Sequence, residues 1–148
     1  MDVKVKKLKE NAVLPAYQTE HAAAMDIQAC LDAPMTLQPL ERAMVPTGLA
    51  FEIPEGHEMQ VRARSGLSIK HGITMVNGIG TIDADYRGEL NILVINLGQE
   101  AFVIEPGMRI AQILVTRYEK ISWQLSEELS ETDRGEGGFG STGFDKKA

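Results

Sequence analysis

Cysteine, long apolar runs and extended amphipathic helices are what this sequence lacks. The single cysteine, Cys30, excludes an internal disulfide and a cysteine-ligated zinc site. His21, His57 and His71 show no metal-ligand spacing. The longest apolar runs, 92–95 and 110–115, are far too short to span a bilayer. The lysine-rich segment 1–11 is followed by no apolar h-region. No secretory signal and no membrane partner are therefore expected, and a cytoplasmic location follows by default. Positive charge is also in deficit: fifteen basic against twenty-one acidic residues give −6, which argues against nonspecific nucleic-acid binding. An anionic ligand would need a local cationic site built from particular arginines.

What is present is a string of short β-type runs between turn residues. With 148 residues, 43% of them hydrophobic, one domain with a substantial core is expected. Pro34, Pro39, Pro46, Pro54 and Gly56 punctuate apolar runs at 35–37, 43–45 and 49–53. Residues 58–64 alternate, with Met59, Val61 and Ala63 on one side and Gln60, Arg62 and Arg64 on the other. Segment 65–71 suits one short helix, with Ser65 as N-cap and Gly72 as stop. Further runs follow at 90–97, 101–104 and 108 to about 125. Turn signals every eight to twelve residues predict an all-β sandwich or barrel with at most one short helix. Residues 1–125 form this domain. From Ser126 the chain turns acidic and then glycine-rich, five of its fourteen glycines lying between 135 and 143. Residues 126–148 are expected to be a flexible arm with little to bury.

The stretch 72–90, GITMVNGIGTIDADYRGEL, is the organising feature. Asn77-Gly78 between two β-type runs is the strongest short-range hairpin signal available. Asp83 and Tyr86 follow within a few residues, a combination suited to a small flat ligand read by backbone with an acid or base beside it. Four other stretches carry candidate chemistry: AAMDI (23–27), RSGLS (64–68), RIAQ (109–112) and RGEGGFGSTG (134–143). Taken singly, each also fits a structural role. Asp26 in an apolar run needs a partner or solvent. Arg64-Ser65-Gly66 pairs a bidentate phosphate donor with a hydroxyl and a close-approach glycine, or is an ordinary helix start. Asp83 and Asp85 fit solvated turn residues, Tyr86 a core aromatic, and Gln112 a group satisfying buried backbone. The last stretch spells G-x-x-x-x-G-S-T from Gly135, yet Ser141 stands where a P-loop needs lysine, so that reading is rejected.

Together, in this order and spacing, the five stretches resemble the motifs of the trimeric deoxyuridine triphosphatase (dUTP pyrophosphatase) family, from about Ala22 to Gly143. The resemblance implies a distorted jelly roll of the β-clip type, assembled as a homotrimer with active sites shared between subunits. It implies hydrolysis of dUTP to dUMP and pyrophosphate by water attack on the α-phosphorus, with Mg²⁺ on the triphosphate. Such an activity keeps uracil out of DNA and supplies dUMP for thymidylate synthesis. Asp83 matches the aspartate that activates the water, and Tyr86 the tyrosine that packs on deoxyribose. Asn77, with Gly80, Thr81 and Ile82 of the hairpin backbone, matches the uracil-reading elements. Asp26 matches the carboxylate that holds Mg²⁺ through water. Arg64, Ser65, Gly66 and Gln112 match phosphate-chain contacts. In the arm, Arg134 matches the arginine facing the γ-phosphate, Phe139 the aromatic over uracil, and Gly140, Ser141 and Thr142 the remaining phosphate contacts. Ala24 and Met25 depart from the usual first motif at positions without a polar role. A closed Asn-Gly hairpin leaves no room for a base, so its strands are expected to splay. The related dCTP deaminases share the fold but need a catalytic glutamate, for which Glu89 is the candidate, and lack this arm. A non-enzymatic trimer regulating a partner through its arm is the other alternative.

Overall fold

The computed structural model describes residues 1–139; Gly140, Ser141 and Thr142 lie outside the described residues. Eleven short strands and one helix are formed among them. They are β1 (Lys4–Lys7), β2 (Met25–Gln28), β3 (Met35–Leu37), β4 (Arg42–Pro46), β5 (Leu49–Glu52), β6 (His57–Ala63), α1 (Ser65–His71), β7 (Ile73–Met75), β8 (Gly80–Ile82), β9 (Asn91–Asn96), β10 (Phe102–Ile104) and β11 (Arg109–Arg117). The strands pair antiparallel in four small sheets, ordered β1-β5, β10-β3, β2-β11-β6-β8 and β4-β9-β7. This is a distorted jelly roll.

Period-two alternation decides what faces inward. On β6, Met59 and Val61 are buried; on β9, Ile92, Val94 and Asn96 are buried between half-exposed neighbours. Met59, Val61, Ile92 and Val94 join Ile27, Leu37, Val45, Leu49, Leu90, Ile104 and Ile113 in one core. Asn96 is wholly buried and tolerated there because its amide donates to Leu37 O and Glu100 O (3.0 and 2.8 Å) and accepts from Gly98 N at 2.8 Å.

The turn forms one residue earlier than Asn77-Gly78 suggests: Gly78 N donates to Met75 O at 3.2 Å, so Val76 and Asn77 are its central residues and Gly78, at φ 72°, closes it. Its two strands then diverge. β7 joins β9 in one sheet and β8 joins β6 in another, so the hairpin opens into a cleft rather than a ladder. The helix begins one residue earlier than the sequence suggests. Arg64, at φ −89° and ψ 124°, is the N-cap, and Ser65 is the first helical residue with no side-chain cap bond. Gly72 ends the helix in the left-handed region, its N–H donating to Ser68 O at 3.0 Å. β11 stops at Arg117, short of the apolar run to about 125, because residues 118–139 find no strand partner. Among the described residues no helix is long and apolar enough to cross a membrane.

Candidate active site

Three elements converge on the carboxylate of Asp26. In the sheet, Asp26 on β2 lies opposite Gln112 on β11, and Gln112 lies opposite Arg62 on β6. Residues directly opposite share a face, so these three point outward while Ile27, Ala111 and Ile113 point into the core. A bulge between Arg109 and Ala111 reverses the parity of β11. It buries Ile110 and Ala111 in succession and turns Arg109 to the outer face beside Asp26, the re-aiming that bulges produce.

The Asp26 side chain is 14% exposed and holds two guanidiniums on one oxygen: Arg109 Nη1 lies 3.0 Å and Arg64 Nη2 3.3 Å from Oδ2. Arg64 also donates through Nη1 to Arg109 O at 2.8 Å. Gln112 Nε2 donates to Ala63 O at 2.9 Å, tying β11 to the end of β6, the residue before Arg64. The cluster therefore has a net positive charge on a chain of −6, the local cationic site an anion requires. Ser65 and Gly66 open α1 beside it. Leu67 N and Ser68 N both turn to Arg64 O, and a Cβ at Gly66 would meet nothing within 4 Å. Arg109 and Gln18, whose Oε1 accepts from Arg109 Nη1 at 2.9 Å, are members of this cluster that the sequence reading missed. Arg109 could have been suspected from its place in RIAQ. Gln18, ninety-one residues from its partner, gives no local signal.

A second group gathers at the opened hairpin. The Asn77 amide lies over Gly80, where a Cβ would come within 3.5 Å of Nδ2 and 3.2 Å of the Val61 Cβ. A side chain at 80 would press on Val61, so glycine eases the close approach of β8 to β6. Asp83 follows β8, exposed, its carbonyl accepting Tyr86 N at 3.2 Å in a tight turn. Tyr86 folds back so that its hydroxyl donates to Glu89 O at 3.0 Å, its ring lying against Gly88. Asp83 stands between two cavities. One of about 250 Å³ is lined by Met44, Thr81, Ile82, Tyr86 and Leu93. The other, about 920 Å³, carries Glu52, Glu55 and Asp85 with Asp83 against only Arg87 and Lys120, a lining that repels a triphosphate.

No hydrogen bond or ion pair among the described residues joins the Asp26 group to the hairpin group. Nor does Arg134, which bonds Gly137 O through Nε at 2.7 Å, or Phe139, which is fully exposed, reach either group.

Arginines gathered round a carboxylate at one place on the jelly roll, and an acid and a tyrosine beside an opened turn at another, are the chemistry expected of an enzyme acting on a nucleotide. Comparison with known proteins gives the same class and narrows it. The dUTPase family model matches residues 10–143. The deoxyuridine 5′-triphosphate nucleotidohydrolase of Rickettsia felis is 55% identical over 142 residues, covering 95% of this chain and 96% of that protein. That of Syntrophotalea carbinolica is 56% identical, covering 96% and 97%. Among solved structures, the dUTPase of Staphylococcus bacteriophage 80alpha with dUpNHpp superposes with a TM-score of 0.88 at 30% identity, covering 97% of this chain and 99% of that one. A mutant dUTPase from phage phi11 of S. aureus, described with a structural Mg(II) ion, gives 0.79 at 25% identity, covering 88% and 100%. The chain belongs to the dUTPase family.

Proposed function

We propose that this enzyme hydrolyses dUTP to dUMP and pyrophosphate through a water held by Asp83, at sites completed by other copies of the chain. The observation that carries the reading is the divergence of β7 and β8 into different sheets. It leaves the edge of β8 that faces away from β6, with Asn77 before it, open to pair with the polar edge of a base, and Asp83 and Tyr86 lie directly beyond. Backbone donors and acceptors reject a mismatched base strongly because buried polar groups are left unpaired, whereas crowding one methyl contributes about 1–3 kcal/mol. Tyr86, fixed by Glu89 O, presents its ring where a 2′-hydroxyl would have to go.

Asp83 is exposed and reachable by water. Its carboxylate orients one water in line with the α-phosphorus and takes its proton as the bond to phosphorus forms. Arg64, the helix-start amides of Ser65 and Gly66, and Gln112 hold the phosphate chain. Arg134, Phe139, Gly140, Ser141 and Thr142, on the arm 126–148, close over the bound nucleotide.

Asp26 is the group that fits a magnesium ion, through water. The described residues offer no cluster of three or more metal-ligating side chains, and one Oδ2 is already taken by two arginines. That donor set suits a cation that keeps part of its hydration and arrives on the triphosphate, not a resident one. When bound, such an ion would neutralise charge developing on the phosphates.

A homotrimer with shared sites accounts for the separation of the two groups. It also accounts for the uncovered apolar surface: Met44, Leu93 and Ile95 on the outer face of the β4-β9-β7 sheet, and Trp123, 91% exposed, with Ile121, Leu125 and Leu129 on the segment after β11. The deaminase alternative is disfavoured because Glu89 Oε1 is committed to Gly48 N at 2.7 Å. Replacement Asp83→Asn tests the assignment. Affinity for dUpNHpp should stay within about twofold while turnover falls by about 10²-fold or more. Retained turnover would remove Asp83 from the chemistry.

A further inference from the structure

Gln18 belongs to none of the five motifs, yet its side-chain amide is engaged at both ends. Nε2 donates to Ala16 O at 3.1 Å, and Oε1 accepts from Arg109 Nη1 at 2.9 Å. Ala16 is itself bridged to Asp26, whose N–H donates to Ala16 O at 3.2 Å. The same Arg109 Nη1 lies 3.0 Å from Asp26 Oδ2, so one guanidinium nitrogen is shared between the amide and the carboxylate. These contacts form a closed loop: Asp26 backbone to Ala16, Ala16 to Gln18, Gln18 to Arg109, Arg109 back to the Asp26 side chain.

The loop matters because Asp26 has two arginines and a triphosphate competes for both. Arg64 is the one at the helix start, and it turns to the phosphate chain when substrate binds. Asp26 then keeps only Arg109. The Arg109 side chain is 44% exposed and long, free to follow the phosphates unless something fixes it. Among the described residues its other hydrogen-bond partner is Gln18. We propose that Gln18 is a positioning residue. It anchors Arg109 on the Asp26 side, so that the carboxylate keeps its orientation when Arg64 is given up to phosphate. The proposal rests on the reading of Asp26 as the carboxylate facing the magnesium hydration shell.

Loss of Gln18 should then weaken the metal-dependent part of nucleotide binding and leave the metal-free part alone. The experiment is calorimetric titration of the full chain with dUpNHpp, in Mg²⁺ and in EDTA, for wild type, Gln18→Ala, Gln18→Glu and Asp26→Asn. Melting curves accompany each variant. With Mg²⁺, Gln18→Ala should lose about fivefold in affinity, and in EDTA less than about twofold, at an unchanged melting temperature. Gln18→Glu keeps an acceptor for Arg109 and should recover most of the loss. Equal losses with and without metal, no loss at all, or failure of the glutamate to recover would each overturn the proposal. Asp26→Asn separates the two layers. If it keeps the full metal dependence, the reading of Asp26 fails and the inference with it; if it loses that dependence while Gln18→Ala behaves as wild type, only the role of Gln18 fails.

Discussion

Replacing Gly88 with alanine should change which sugar the enzyme accepts without touching substrate. A Cβ at Gly88 would stand 2.3 Å from Tyr86 Oη, 2.6 Å from Cζ and 3.0 Å from Cε2. Van der Waals contact begins well beyond these distances, so the ring must retreat by roughly 1 Å or more. The hydroxyl then leaves Glu89 O, a bond worth about 0.5–1.5 kcal/mol. Because Tyr86 is 46% exposed, the ring can swing outward instead of disturbing the core. Stability should fall by about 1 kcal/mol, which for a chain of this length lowers Tm by about 2–4 °C. Selectivity should fall further. An apolar surface rejects an added hydroxyl by about a hundredfold at most, so displacing the ring should reduce the dUTP-over-UTP ratio of kcat/KM by about tenfold, toward that of Tyr86→Ala. Pyrophosphate release from the two nucleotides measures the ratio, and a thermal melt measures the stability. A lowered Tm with an unchanged ratio would show that the Tyr86 ring is not what excludes the 2′-hydroxyl.

Three other outcomes follow from the same geometry. Gly72→Ala should destabilise the fold by several times the about 1 kcal/mol of left-handed strain alone, since its Cβ would meet Gly98 N at 2.3 Å, and urea unfolding should report the loss. Truncation after Asp133 should leave melting temperature and assembly state unchanged while kcat/KM for dUTP falls sharply; full activity would make the arm dispensable. Chains carrying Asp83→Asn and chains carrying Arg64→Ala, each inactive alone, should regain a fraction of wild-type activity when refolded together, because mixed assemblies contain some sites with both groups intact. No recovery would place Asp83 and Arg64 of one chain in the same site.

Local chemistry made most elements legible and left their partners hidden. Residues 65–71 are flanked by a strand and a glycine, and the helix occupies that span, although Arg64 rather than Ser65 serves as its N-cap. The alternation of β6 fixed its inward face because Met59 and Val61 have only one apolar side to join. The hairpin signal at Asn77-Gly78 marked the chain reversal but neither the turn's centre, which falls on Val76-Asn77, nor the ladder. Turn chemistry is decided by two residues, whereas β7 and β8 are drawn apart by β9 and β6, and those pairings depend on the whole fold. The bulge that redirects Arg109 leaves no mark in its own residues. Contacts such as Arg109 to Gln18 and to Asp26 join segments more than eighty residues apart, beyond any local pattern. The apolar run expected from 108 to about 125 ends as strand at Arg117, and Ile121, Trp123 and Leu125 beyond it are exposed in the single chain.

The most direct measurement is pyrophosphate release from dUTP, UTP, dTTP and dCTP, each with Mg²⁺ and with EDTA, using the full chain. Cleavage of dUTP should exceed that of the other three by about tenfold to a hundredfold and should drop when the metal is removed. Comparable cleavage of dTTP or UTP would contradict the hairpin as the element that reads base and sugar, and ammonia release from dCTP would contradict the hydrolytic assignment itself.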